Sequence, residues 1–252
     1  MNQTGETPVR RLDRPDGPSL AYRLSPGRSP GVIFLGGFAS DMTGTKATAL
    51  GEAARSAGRA FLRFDYRGHG QSEGRFEEAT VGDWLTDGLA ALDRLTAGPQ
   101  ILVGSSMGGW IALMIAVARP ERVKALVGIA AAPDFTERLV RQRLTDAERE
   151  ILARDGVLSL PSQYGPPLPI TRKLVEEGSR HLMLDRPIPF RGPVRLLHGQ
   201  RDPDVPWELS LTVAERLETS DVRVVLVKEG DHRLSRPEDI ALLLQTVDEL
   251  AG

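Results

Sequence analysis

Two segments of this chain place a serine between glycines with G-x-S-x-G spacing: Gly104-Ser105-Ser106-Met107-Gly108 and Gly70-Gln71-Ser72-Glu73-Gly74. That spacing carries chemistry only on a sharp strand-to-helix turn, where small residues let the two elements pass closely and the serine is pushed outward. Ser106 has this context, with Gln100-Ile101-Leu102-Val103 before it and Trp110-Ile111-Ala112-Leu113 after it. Ser72 leads instead into the polar stretch Arg75-Phe76-Glu77-Glu78, which reads as loop. Ser106 is therefore the expected nucleophile, and Ser105 reads as a small residue filling the turn.

A serine hydroxyl attacks a carbonyl only when a base removes its proton. Of the four histidines, His69 precedes Ser106 and sits in a Gly-rich turn. His181 reads as a residue on a solvated helix face. His198 ends an apolar run and reads as a histidine hydrogen-bonded in a turn. His232, in Gly230-Asp231-His232, lies between the last strand-like run and the last helical stretch, and it is the expected base. A carboxylate must hold its imidazole in one tautomer. Asp202, a few residues past an apolar strand, is the preferred acid; Asp204 and Asp134 are the alternatives. Asp231 adjoins the base and reads as a turn former. Two backbone N–H groups should meet the developing oxyanion. Met107, next to the nucleophile, and Phe38, after Gly36-Gly37, are the expected donors.

Positioning these groups requires alternating strands and helices. Val32 to Leu35, Ala60 to Phe64, Ile101 to Val103, Val123 to Ile129, Val194 to Leu197 and Val222 to Val227 are short apolar runs suited to buried strands. Leu20 to Leu24 and Val9 to Leu12 read as earlier, weaker strands. Helices are expected over Thr45 to Ala57, from Val81 to Leu95, from Met107, over Trp207 to Leu217 and over Pro237 to Leu250. Val81, Leu85, Leu89, Leu92 and Leu95 recur at three- and four-residue steps, as an amphipathic helix does. The pattern implies an α/β class domain with a mostly parallel sheet covered on both faces. Residues 1–252 read as one domain, interrupted at 134–190 by a helical cap insertion. Charged helical stretches from Thr136 to Ala153 and from Thr171 to Met183 flank a loop from Pro161 to Pro169. Nine apolar residues there (Leu139, Leu144, Ile151, Leu152, Val157, Leu158, Leu160, Leu174 and Val175) are candidates for an acyl groove or for ordinary packing.

Composition narrows the field. Thirty-two basic residues face 34 acidic ones, and no Lys/Arg block is present, so nucleic acid is not an expected partner. The chain has no cysteine, which removes disulfides, thiolate metal sites and a thiol nucleophile together. Four histidines argue against a His-rich metal site, and neither a metal nor another cofactor is expected. No apolar run approaches the roughly 20 residues of a membrane span, and the first residues lack the apolar core of a signal peptide. A soluble, cytoplasmic protein is expected.

These motifs, with Asp65-Tyr66-Arg67-Gly68-His69-Gly70, His198-Gly199 before Asp202, and Val205-Pro206, resemble the α/β-hydrolase superfamily. Met42-Thr43-Gly44-Thr45-Lys46-Ala47, Pro99 to Ser106, Arg195-Leu196-Leu197-His198-Gly199 and Asp231-His232-Arg233 resemble its palmitoyl-protein thioesterase and acyl-glucuronide esterase branch. The resemblance runs from about residue 31 to the C-terminus and is weakest at 134–190. It implies a triad at Ser106, Asp202 and His232, and hydrolysis of an ester or thioester, small or carried on an acylated protein, without a cofactor. A short-chain carboxylesterase, an acyltransferase or perhydrolase with the same triad, and a binding protein that kept only the fold are the alternatives. Gly36 departs from the family, many of whose members carry His there. The lack of a leader suggests a bacterial relative.

Overall fold

The apolar runs become the centre of one eight-stranded sheet. The computed structural model describes residues 7–162 and 165–252. In chain order the sheet strands are β1 (Arg10–Arg14), β2 (Gly17–Ser25), β3 (Arg28–Leu35), β4 (Arg59–Phe64), β5 (Gln100–Ser105), β6 (Val123–Ile129), β9 (Val194–Gly199) and β10 (Val222–Val227). Their spatial order is β1-β2-β4-β3-β5-β6-β9-β10. The first two junctions are antiparallel and the rest parallel. The expected mostly parallel sheet is present.

Side chains along a strand alternate between the two faces of its sheet, and both faces of the central strands are apolar. Ile33, Leu35 and Leu102 face one core with Trp84, Leu92, Trp110 and Ile111. These come from α2 (Val81–Leu95) and α3 (Met107–Ala118). Val32, Phe34, Ile101 and Val103 face the other, with Ala47, Leu50, Leu243 and Val247 from α1 (Thr45–Ser56) and α7 (Pro237–Ala251). Helices must therefore cover both sides. α2 begins at a capping box in which Thr80 accepts from the Asp83 amide and Asp83 accepts from that of Thr80, satisfying two end N–H groups. α6 (Glu208–Arg216) lies between β9 and β10. Among the described residues no helix is long and apolar enough to cross a membrane.

The stretch 134–190 differs from the expectation in detail. The helix expected over Thr136 to Ala153 is two pieces: a π-helical turn, Thr136–Arg141, and α4, Asp146–Asp155. The break has a local cause: Thr145 caps a new helix by accepting from the Glu148 amide, with Glu148 returning the bond. Gly156, at φ 76°, ends it. The expected loop Pro161 to Pro169 is the tip of an antiparallel hairpin, β7 (Val157–Leu160) with β8 (Leu168–Thr171); residues 163 and 164 lie outside the described residues. The prolines around the turn hide two four-residue strands from a periodicity argument. The second expected helix shortens to α5, Arg172–Gly178, and a single 3-10 turn.

The helix that carries the putting-forward of Ser106, α3, starts hard against the sheet. A Cβ on Gly108 would lie 2.0 Å from the Leu35 carbonyl oxygen, and one on Gly104 would lie 2.3 Å from that of Gly108. Both partners are backbone and cannot rotate away. Gly44, the N-cap of α1, has φ −60° and open space, its nearest neighbour being 3.8 Å away. Gly108→Ala should therefore cost roughly 3 kcal/mol or more by overpacking, while Gly44→Ala should cost less than about 1 kcal/mol. Urea unfolding of the two variants checks this; equal losses would refute the packing argument.

Candidate active site

Ser106 occupies the β5–α3 junction at φ 53°, ψ −119°, a conformation costly for any residue with a Cβ. Its backbone is held on both sides: its amide donates to Ile129 O at 2.9 Å, and its carbonyl accepts from the Ala132 amide at 3.1 Å. The turn leaves the hydroxyl facing the loop between β10 and α7. There His232 Nε2 lies 3.2 Å from Ser106 Oγ, and His232 Nδ1 lies 2.7 Å from Asp202 Oδ2. Asp202 can only accept while ionised, so Nδ1 carries the hydrogen and Nε2 is left as an acceptor for the serine proton.

Asp202 follows β9, and its side chain is fully buried. Oδ1 accepts from the Asp204 and Val205 amides, each at 2.9 Å. Oδ2 accepts from His232 and also from His198, whose Nε2 lies 3.2 Å away. Burial opposes the charge most strongly, but the two histidine donors and the Val205 amide outweigh it and hold the carboxyl below the usual carboxylate range.

The other acid candidates have different partners. Asp134, at φ 59°, accepts from the Met183 and Leu184 amides at 2.8 and 3.0 Å. It ties the end of β6 to the chain leaving α5. Asp204 is exposed, on the same turn as Asp202. Asp231 accepts from the Arg233 and Leu234 amides, as a turn former does. Ser72 is pinned in place: its hydroxyl donates to Asp65 O at 2.6 Å and accepts from the Ala21 amide at 2.8 Å.

Above Ser106, the chain leaving β3 passes close to the turn, with a Cβ on Gly37 only 3.4 Å from the Ser106 Cβ. No partner of the Phe38 or Met107 amide is found among the described residues. The Phe38 ring is fixed by Phe76, Trp84 and Phe135, at centroid distances of 4.8, 5.7 and 5.7 Å.

Comparison with known proteins identifies the family to which this fold belongs. Residues 30–168 match the family model described as alpha/beta hydrolase fold. The human mitochondrial palmitoyl-protein thioesterase ABHD10 is 45% identical over 247 residues, covering 97% of this chain and 80% of that protein. The structure of mouse alpha/beta hydrolase domain-containing protein 10 is 45% identical with a TM-score of 0.91, covering 97% of this chain and 98% of that one. A putative hydrolase from Agrobacterium vitis is 40% identical with a TM-score of 0.92, covering 97% and 100%. The chain belongs to the α/β-hydrolase family.

In this hydrolase a cavity of about 590 Å³ opens onto Ser106 and His232, within the usual size of small-molecule sites. Phe38, Phe135, Leu139, Val140, Leu160 and Ile170 supply apolar wall. Of the nine groove candidates from sequence, only Leu139 and Leu160 line it. Leu144, Leu152, Leu158, Leu174 and Val175 are buried in the core, and Ile151 packs against it. Val157 is exposed. Helical and strand periodicity identifies an apolar face, but not whether protein or cavity covers it.

Three histidines also gain partners that sequence reasoning missed. His69 sits in the expected turn but is buried, and its Nε2 accepts from the Ala39 amide at 3.2 Å. Burial pushes its pKa down, against the Arg67 carbonyl and Asp87, which suits an acceptor. His181 is half-buried and bonded to Glu177, which also accepts from the Gly82 amide on α2. His198 touches Asp202. Asp202, Asp204 and His232 bring one ligand-type atom each within 4.8 Å of one another. Both oxygens of Asp202 already accept two hydrogen bonds, so this group is a satisfied cluster as it stands.

Lys46, on α1, lines the same cavity. Its ammonium donates to the Arg233 carbonyl, next to His232. Burial first, and the Arg233 charge second, push its pKa down to about 8, against the pull of Asp231 and Asp239. A lysine with a depressed folded pKa disfavours folding while it is charged, and the deficit closes as pH rises from the folded toward the unfolded value. The Tm difference between Lys46→Met and the unsubstituted protein should therefore be most favourable to the variant near pH 7. It should shrink between pH 8 and 10. A difference independent of pH by calorimetry would show that the ammonium is not penalised in the fold.

Proposed function

We propose that this hydrolase cleaves thioesters and esters of long acyl chains, palmitoyl among them, through an acyl-enzyme on Ser106. The observation that carries the reading is the unbroken chain from Ser106 Oγ to His232 Nε2 at 3.2 Å and from His232 Nδ1 to Asp202 Oδ2 at 2.7 Å. The relatives named as palmitoyl-protein thioesterases support the acyl class.

Ser106 attacks the carbonyl carbon as His232 Nε2 takes the hydroxyl proton. The imidazolium is stabilised by Asp202, which stays ionised. The carbonyl oxygen, now negative, is met by the Phe38 and Met107 amides. The tetrahedral adduct collapses with departure of the thiolate or alkoxide, to which His232 returns the proton. Water, deprotonated by the same histidine, attacks the acyl-serine; the adduct breaks at the bond to Ser106 Oγ, His232 returns the proton to that oxygen, and the free acid leaves. Residues 134–190 act as a cap: Leu139, Val140, Leu160 and Ile170 from this stretch wall the cavity, where an acyl chain would displace water. A cytoplasmic site of action is the reading from composition, whereas the names of the mammalian relatives carry "mitochondrial".

A fluorophosphonate should label the protein and Ser72→Ala, but not Ser106→Ala. Labelling of Ser106→Ala would reassign the nucleophile, and no labelling of any would favour a non-catalytic binding protein. Asp202→Asn should lower kcat by about 10⁴. Asp134→Asn should leave kcat nearly unchanged and lower Tm, since its carboxylate serves two amides. A crippled kcat in Asp134→Asn would move the acid to that position.

Each buried CH₂ is worth ~0.8 kcal/mol, or about fourfold in kcat/KM when the gain is realised in the transition state. A ladder of acyl thioesters from about two to about sixteen carbons should thus climb over its first several members and level off where the cavity ends. A flat or falling ladder would make the protein a short-chain esterase.

A further inference from the structure

Among the described residues Asp202 has two histidines on one oxygen, and the triad mechanism uses only one of them. His198, at the end of β9, is fully buried. Its Nε2 lies 3.2 Å from Asp202 Oδ2 and 3.1 Å from the Val205 carbonyl oxygen. Both are acceptors, so Nε2 carries a hydrogen shared between them. Nδ1 lies 2.7 Å from Oγ of Ser210, on α6, which is also fully buried. In the neutral ring Nδ1 is an acceptor, and the serine hydroxyl donates to it. The line Ser210, His198, Asp202, His232, Ser106 is thus one continuous run of hydrogen bonds.

We propose that His198 is a positioning residue that limits the basicity of His232 by sharing Asp202 Oδ2 with it. The inference rests on the triad reading above. A carboxylate oxygen that accepts a second hydrogen bond offers less charge to its first partner. With His198 in place, the His232 imidazolium is stabilised less than it would be by an Asp202 serving His232 alone. His232 then stays in its base form to lower pH. The Val205 carbonyl and Ser210 hydroxyl hold the His198 ring in the only tautomer that can do this. The shift of Asp202 agrees in direction, His198 being the first of the groups that favour its charge. The other charged groups around His232 are Asp204 and Arg143 over the acid turn, Lys46 on α1, and Asp231 and Arg233 on its own loop. They are common to all the variants below.

The test is the pH dependence of kcat/KM for a p-nitrophenyl ester in the unsubstituted protein, His198→Leu, His198→Gln and Ser210→Ala. His198→Leu should move the acid limb up by about one pH unit, a roughly tenfold loss at the acid end. The high-pH limit should fall by less than that. His198→Gln, whose amide can donate from near the position of Nε2, should bring the limb back most of the way. Ser210→Ala should move it in the same direction as His198→Leu, by less. A merely structural role would lower the limit without moving the limb, so an unmoved limb in His198→Leu overturns the proposal. So does an equal displacement in His198→Gln. If His198→Leu does not fold, Ser210→Ala decides by the same criterion. Failure of the triad reading is separately visible, as activity or labelling that survives Ser106→Ala.

Discussion

The N-terminal end of α3 lies against the end of β3 so closely that position 108 has no room for a Cβ. That contact fixes the rest of the site. It forces the chain to leave β5 through Ser106 at a positive φ, which costs on the order of 1–3 kcal/mol. The surrounding packing overrides the cost: Trp84 and Trp110, from α2 and α3, are completely buried in the core under this face of the sheet, and Ile129 and Ala132 bond the serine backbone. The same geometry leaves the Met107 amide at a helix start, where an N–H has no intrahelical partner. It also lets Gly37, next to Phe38, pass close to Ser106.

A second constraint is electrostatic. Asp202 has no exposed side-chain surface, and a buried carboxylate is tolerated only when its lone pairs are filled. Two amides and two histidines fill them. The turn from Gly199 to Val205 is therefore both the support of Asp202 and, through two amides, part of its solvation shell. The loop after β3, which carries Phe38, is secured in a comparable way. Ala39, at φ 56°, gives its amide to a buried neutral His69, whose ring is packed among Tyr66, Phe76 and Trp84. The residues from Asp65 to Gly70 thus support the loop that carries Phe38.

The central sheet strands were legible because a strand buried on both faces is a nearly continuous apolar run, and Val32–Leu35 and Ile101–Val103 have no polar interruption. The elbow was legible because glycines at 104 and 108 flank a serine between such a run and an apolar helix. Context also separated it from Ser72, which has the same spacing. The hairpin β7–β8 was not legible: four residues give too short a period, and Pro169 lies inside β8. Nor was the cavity wall, since Leu139 and Leu174 are alike in sequence and differ only in what tertiary packing sets opposite them. His198 looked like a turn histidine because its distinguishing partner, Ser210, is on the following helix. His181 looked solvated because Gly82, whose missing side chain makes room for it, is 99 positions earlier.

The central claim is that the substrate's acyl group is transferred to Ser106 before it reaches water. The most direct measurement mixes the protein with a long-chain acyl thioester, quenches in acid within milliseconds, and maps the added mass by peptide mass spectrometry. The account predicts a transient acyl adduct on the peptide containing Ser106, formed at the rate of thiol release and decaying at the rate of acid formation. Thiol release with no adduct on that peptide, or an adduct that forms on Ser72 or elsewhere and turns over at the same rate, would contradict it.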